Sequence, residues 1–289
     1  MLGIPARLAG CREIILCTPP GKDGKVHEGI LYIASLLEID RIYKVGGAQA
    51  IAAMACGTET IPAVDKIFGP GNQYVTAAKI LVSRDRVAID MPAGPSEVAI
   101  IADASSEPEF IAADLLSQAE HGSDSQVLLF TLDEEIIPGV TAEINDQIEK
   151  LPRKNIAREA LRNSRIILLN SIDEIVEMVN WYAPEHLIIA TKDYHEISAG
   201  ILNAGSVFLG NYTPESAGDY ASGTNHTLPT NGWAHAYSGV NMDSFVKKIT
   251  YQEINRTGLK HIGKTIIKLA EAEELYGHAN TVSVRINKH

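Results

Sequence analysis

No apolar stretch of this 289-residue chain reaches the roughly 18 to 20 residues that a helix needs to cross a bilayer, which excludes a helical membrane span. The opening MLGIPARLAG lacks the basic start and long apolar core of a secretory leader, and reads instead like the middle of a helix whose upstream part is missing. Positive charge is scarce. Against 36 Asp and Glu stand 25 Lys and Arg, a net charge of −11, which argues against a nucleic-acid partner and for a soluble, cytoplasmic habit. The three cysteines, Cys11, Cys17 and Cys56, are odd in number and lack CxxC spacing, so neither a disulfide framework nor a thiolate zinc site is indicated. Their apolar contexts read as core thiols of a reducing compartment. No GxGxxG fingerprint, short-period repeat or low-complexity tract is present.

What the chain does contain is alternation. Strand-like runs EIILCT, RIYKV, KIF and VAID are separated by helical patterns around HEGILYIASLLE and GGAQAIAAMA, which predicts a parallel α/β sheet. A second series follows IDMPAGP. EVAIIAD, QVLLFTL, RIILLN, EHLIIA and SVFLG are separated by helices in EPEFIAADLLSQAEH, at about 134–150 and in SIDEIVEMVNWYA. Continuous Val, Ile and Leu imply burial on both sheet faces. Past residue 236 the pattern becomes helix-rich: DSFVKKITYQEI, a helix from about 256 to 276 stopped by Gly277, then an extended NTVSVRINKH of the kind that packs on a partner subunit.

Five places combine residue types that carry chemistry. In SQAEHGSDSQ, Gln118 and His121 are three apart and project from one helix face, as half a metal site would; His121 followed by a left-handed Gly122 is equally a plain helix end. The glycine turns VGGAQA (45–50) and FGPGNQ (68–73) open helices with free N–H groups suited to phosphate, or are ordinary strand-to-helix turns. Glu185 and His186 in YAPEH stand at the mouth of a buried strand. Neighbouring side chains there diverge unless the backbone bends. The polar segment 211–232 holds Glu215, Asp219 and His226, and EAEELYGHAN holds Glu273 and His278. Gln118, His121, Asp219 and His278 form an N,N,O,O set of the type that suits zinc, although sequence cannot show that they converge.

GPGNQYVTAAK, DMPAGPSEV, DLLSQAEHGSDSQV, APEHL, GSVFLGNYTPESAGDYASGTNHTLPT and YGHANTVSVR, in that order, resemble the histidinol dehydrogenase family over essentially the whole chain. The resemblance implies zinc-dependent, NAD-linked oxidation of L-histidinol through L-histinal to L-histidine by a homodimer with shared active sites. It implies Gln118, His121, Asp219 and His278 as zinc ligands, the last reaching a neighbouring subunit. Ser96, His226 and Glu273 fall at substrate-contacting positions, with His186 close by, and Gln49 and Asn72 at NAD-contacting ones. Glu185 and His186 are the expected bases: His186, with an ordinary pKa of about 6.5, takes the hydroxyl proton, and Glu185 activates the water that hydrates the aldehyde. Zinc would orient the amino alcohol through two of its nitrogens rather than generate hydroxide.

The fold expected is α/β: two incomplete Rossmann-like parallel-sheet lobes with a helical C-terminal tail. Residues 1–92 form an NAD-binding-like lobe, 93–235 a zinc and substrate lobe, and 236–289 the tail. Family members carry an N-terminal segment, including a glycine-rich loop that touches NAD, which this sequence lacks. A second reading is therefore a shortened chain that binds zinc and histidinol without turnover, and a third is an aldehyde dehydrogenase with one of the three cysteines as nucleophile. His27, His195, His235, His261 and His289 belong to no motif and read as surface or packing residues.

Overall fold

Runs of Val, Ile and Leu without polar alternation must be covered on both faces, and strands too short or too polar for that are left to pair two by two. The computed structural model describes residues 1–85, 87–92 and 94–287. They divide into one compact unit from Met1 to Val246 and a second beginning at Lys247.

The first unit opens with α1 (Gly3–Leu8), β1 (Ile15–Cys17), α2 (Glu28–Leu36) and β2 (Arg41–Tyr43). It continues with α3 (Gly47–Cys56), β3 (Lys66–Ile67), α4 (Gln73–Ser83) and β4 (Ala88–Ile89). β1 pairs with β2 and β3 with β4, each pair parallel and two-stranded. Such small sheets bury little: Ile51, Ala55, Ile67, Val75 and Val87 form a core, while Leu31, Tyr32, Ile33 and Leu36 of α2 face solvent. His27 accepts the Gly29 N–H and so caps α2, a structural task. The thiols depart from the sequence expectation, because Cys56 ends α3 in the open and Cys11 and Cys17 are only half-buried.

The rest of this unit surrounds a five-stranded, wholly parallel sheet of β5 (Glu97–Ala102), β6 (Gln126–Thr131), β7 (Arg165–Leu168), β8 (His186–Ala190) and β9 (Ser206–Leu209). Its spatial order is β7-β6-β5-β8-β9, the doubly wound arrangement in which the chain reverses direction between β5 and β8. Strand periodicity then divides the core. Val98, Ile100 and Ala102 join Val127, Leu129 and Ile188 beneath α5 (Pro108–Ala119), α6 (Ile136–Ile148) and α7 (Lys154–Arg162). Ala99, Ile101, Leu128, Phe130, Leu187 and Ile189 pack on the other face with Ile175 and Val179 of α8 (Ile172–Tyr182). At roughly 1.5–3 kcal/mol per fully buried aliphatic side chain, these two layers dominate the stability of the unit. The sequence pattern does not predict α7, α9 (Tyr194–Ala199) or α10 (Glu215–Tyr220). α7 buries only two alanines and the other two are six residues long, too short for a hydrophobic period to register.

The C-terminal unit is a helical hairpin of α11 (Arg256–Ala272) and α12 (Tyr276–Asn287). Here the structure corrects the sequence reading twice. DSFVKKITYQEI is a single 3-10 turn, Met242–Phe245, followed by irregular backbone, and the expected extended NTVSVRIN is helix. Alternating Val and Thr resemble a strand, but Val282 and Ile286 press onto Gly263 of α11, where a Cβ would lie 2.3 Å from Ile286 Cδ1. Tertiary packing overrides propensity. The reversal is made by Glu274 in left-handed conformation (φ 59), not by Gly277, which lies inside α12.

Candidate active site

Crossover helices run antiparallel to their strands, so α5 returns from the carboxyl edge of the large sheet to its amino edge and delivers Ser117 and Gln118 there. β5 and β8 begin at the same edge with Glu97 and His186. The parallel register Val98 to His186 therefore sets Glu97 beside Glu185. The segment after β9 runs back along α5: Asn211 donates to the Ser105 carbonyl, Tyr212 meets Phe110 edge to face, and Glu215 accepts from Ser117. That brings Glu215 and Asp219 of α10 to the amino edge too.

The bend that Glu185 and His186 needed is present. α8 stops at Ala183 in left-handed conformation (φ 53, ψ 63), a strained choice for alanine, and Pro184 follows. Both side chains then turn inward: Glu185 is 7% exposed, His186 is 3%, and Glu185 Oε2 lies 3.7 Å from His186 Nδ1. Glu97 braces them through its backbone. Its N–H donates to Glu185 Oε2 at 3.0 Å, and its carbonyl accepts from His186 Nδ1 at 3.2 Å. Glu97 Oε1 accepts the Asn231 N–H at 3.0 Å. On the other side of the ring, Asp219 Oδ1 stands 3.7 Å from Nε2, an ion-pair separation.

Gln118 is oriented by charge. Its Nε2 donates to the Glu215 carboxylate, which can only accept, and so the amide oxygen points away. That oxygen is buried without a hydrogen-bond partner, as are His186 Nε2, Glu97 Oε2 and Ser125 Oγ at the same edge. Buried polar atoms without partners are costly unless a ligand completes them.

Carboxylates crowd a poorly solvated space, and their acidities show it. Burial pushes Glu97 and Glu185 each up to about 7, and burial together with the Glu215 charge does the same to Asp114. Tyr182 is raised by burial and then by Glu97 and Glu185. His186 moves far from the ordinary imidazole value: burial lowers it, but Asp219, Glu185 and Glu215 together outweigh burial and push it up to about 9. Asp219 is held below the usual carboxylate range by His186 first, against burial, with further help from His226 and His121.

The residues anticipated from sequence fall into three places. Gln118, Glu185, His186 and Asp219 meet at the amino edge, with half-buried Ser96 preceding β5 and receiving the Gln126 N–H on its carbonyl. Exposed His121 and His226 lie within charge range of Asp219, and His226 Nδ1 is 3.2 Å from the Asp219 carbonyl. α5 ends at Ala119 with Glu120 as its cap, so His121 lies just past the helix, and Gly122 is not left-handed; that glycine instead makes room for Asp124, whose Oδ1 would be 2.6 Å from an added Cβ. Gln49 and Asn72 lie exposed in the glycine turns that open α3 and α4, where Asn72 Oδ1 accepts the Tyr74 and Val75 N–H groups. Glu273 and His278 belong to the C-terminal unit, at the end of α11 and in the first turn of α12, both exposed. Glu97, Asp114 and Glu215 had not been assigned a role. An acid heading the otherwise apolar strand EVAIIA was the available signal.

Among the described residues, no three His, Cys, Asp or Glu side chains gather tightly enough to hold an ion by themselves. An amide oxygen without a partner, an ionised Asp219 and the neighbouring His121 nevertheless fit a borderline dication that takes both N and O ligands. The opposite edge of the sheet is closed. Ser106 Oγ donates to the Ala190 carbonyl and accepts the Asp103 N–H, and Asp103 Oδ2 accepts the Lys192 N–H, tying the loops after β5 and β8 together across the usual ligand crevice.

A family model described as histidinol dehydrogenase matches residues 1–286. The chain is 61% identical to a histidinol dehydrogenase of Bacteroides thetaiotaomicron over 287 residues, covering 99% of this chain and 67% of that protein. It is 55% identical to one from Xanthomonas axonopodis pv. citri, with the same coverage. The crystal structure of histidinol dehydrogenase from Elizabethkingia anophelis superposes with a TM-score of 0.96 at 60% identity, over 99% of this chain and 66% of that one. The chain thus spans about two thirds of the length of the proteins it matches.

Proposed function

The chain belongs to the histidinol dehydrogenase family, a family of oxidoreductases, and from that premise we propose that it oxidises L-histidinol to L-histidine through L-histinal, using zinc and NAD. The observation that carries the proposal is the amino edge itself, where Gln118 Oε1 and His186 Nε2 are buried without hydrogen-bond partners amid Glu97, Glu185, Glu215 and Asp219. Gln118, His121 and Asp219 would hold zinc, together with His278 from a second copy in a homodimer. Glu273 of that copy, with Ser96, His186 and His226, would line the substrate site. Bound zinc supplies a charged anchor for the amino alcohol, and NAD accepts hydride.

The chain's own residues supply the proton chemistry. Nε2 of His186 receives the hydroxyl proton, while Nδ1 stays fixed on the Glu97 carbonyl and holds the ring in place. In the metal-free chain His186 is kept protonated by the surrounding carboxylates, Asp219 foremost. With Asp219 held by a cation, the imidazole would lose that partner and would be freer to act as a base. Glu185 is poised near neutrality by burial, which suits it to remove a proton from the water that hydrates the aldehyde. Gln49 and Asn72 would contact NAD from the two glycine turns.

The test is NADH formation on adding L-histidinol to the purified chain, with zinc content measured on the same sample. Histidinol-dependent NADH supports the proposal. Zinc and histidinol binding without NADH would support the alternative, a shortened chain that binds without turning over.

A further inference from the structure

One buried charged pair takes no part in the amino edge. Lys79, on α4, and Asp90, just beyond β4, form an ion pair with side chains only 2% and 1% exposed. Both side chains also bond to one residue, Gly69. Lys79 Nζ donates to the Gly69 carbonyl at 3.0 Å, and Asp90 Oδ2 accepts the Gly69 N–H at 2.8 Å, while Oδ1 accepts the Met91 N–H at 2.7 Å. Gly69 sits at φ +131, a conformation that side chains rarely allow.

The turn is held at its other end as well. Asn72 Oδ1 takes the Tyr74 and Val75 N–H groups, and Gly71 lies so close to Val75 that a Cβ would fall 2.5 Å from its side chain. Two ends fixed three residues apart leave the backbone between them little freedom. An apolar pair of similar volume would fill the same space without the desolvation that two buried charges require, so stability alone is a poor reason for this pair. What an apolar pair could not do is grip both polar atoms of one glycine.

We infer that the Lys79 and Asp90 pair positions the 69–72 turn in the shape that receives NAD. This inference rests on the proposed contact between Asn72 and NAD. A preorganised turn binds without first having to be ordered, so the pair acts on cofactor affinity and leaves the proton chemistry at His186 alone. Lys79 and Asp90 are positioning residues; neither is expected to touch the reacting atoms.

Because either single change strands a buried charge and threatens folding, the double variant Lys79→Met with Asp90→Leu carries the test. In the full chain, NAD affinity is measured by calorimetry, KM for NAD and kcat by NADH formation, and amide exchange across 69–72 by mass spectrometry. The expected result is a rise on the order of tenfold in both Kd and KM for NAD, with kcat and zinc content near wild type and faster exchange in the turn. A folded double variant whose NAD affinity stays within about twofold of wild type overturns the inference, since the pair would then be purely structural. A folded, zinc-loaded wild-type chain with no affinity for NAD would overturn the cofactor reading itself, and this inference with it.

Discussion

At the carboxyl edge of the five-stranded sheet, Ser106 and Asp103 tie the loops after β5 and β8 together, and only Thr191 Oγ1 is buried without a partner among the described residues. At the amino edge of the same strands, four such atoms remain and three carboxyls are displaced to about 7. One core supports both, so the contrast arises in the side chains at the strand ends. The difference teaches where each edge directs its polar groups. The carboxyl edge satisfies them internally and gains rigidity, whereas the amino edge leaves them unmatched, which is where we propose a cation and a polar substrate bind. In many doubly wound sheets the crevice at the strand reversal takes the ligand. Here hydrogen bonds span that crevice, and the site we propose lies at the other end.

The contrast breaks most visibly in catalysis. His186→Ala is expected to slow both oxidation stages by about 10² to 10⁴-fold, and Glu185→Gln to slow chiefly the aldehyde stage, as single-turnover rates with L-histidinol and L-histinal would show. Equal losses at both stages for Glu185→Gln would remove its assigned role. Next in size is Ser106→Ala at the closed edge, which leaves the Asp103 N–H and Ala190 carbonyl without their shared partner. It should cost about 1–3 kcal/mol in urea unfolding while leaving zinc content and turnover unchanged. A loss of zinc in that variant would mean that the edges are not independent.

The smallest effect is a pH dependence of the metal-free protein. Glu97, Asp114 and Glu185 have folded-state values raised to about 7 from ordinary values of 4.5, 3.8 and 4.5. Their stabilisation is complete below those ordinary values and is lost as pH rises through about 7. His186, raised to about 9 from 6.5, adds a loss in the same direction at higher pH. The unfolding midpoint should therefore fall from about pH 4.5 to 7 and beyond, and Glu185→Gln should flatten the decline and raise Tm by a few degrees at pH 8. A midpoint that rises across this interval contradicts the carboxyl environment described above.

Much of this was legible before any coordinates. EVAIIA, QVLLFT and HLIIA read as buried strands, because they are short, almost wholly apolar runs without polar alternation, bounded by loop residues. The pairing of Glu185 with His186 was legible too, down to the bend it required. What could not be read was which strands are neighbours. Glu97 acts on Glu185 and His186 only because β5 lies against β8, a contact spanning almost 90 residues that no local pattern encodes. Glu215 likewise reaches Gln118 through the path its segment takes along α5. The last helix was misread for the converse reason: NTVSVRIN alternates like a strand, and the glycine that accepts its Val282 and Ile286 lies on another helix.

We propose that the amino edge is left unmatched because it holds a dication. Zinc per chain after exhaustive dialysis, measured by mass spectrometry for wild type and for Gln118→Leu, addresses it most directly. About one zinc per wild-type chain, largely lost from a folded Gln118→Leu protein, is the predicted result. Equal zinc in both proteins, or none in either, would contradict it.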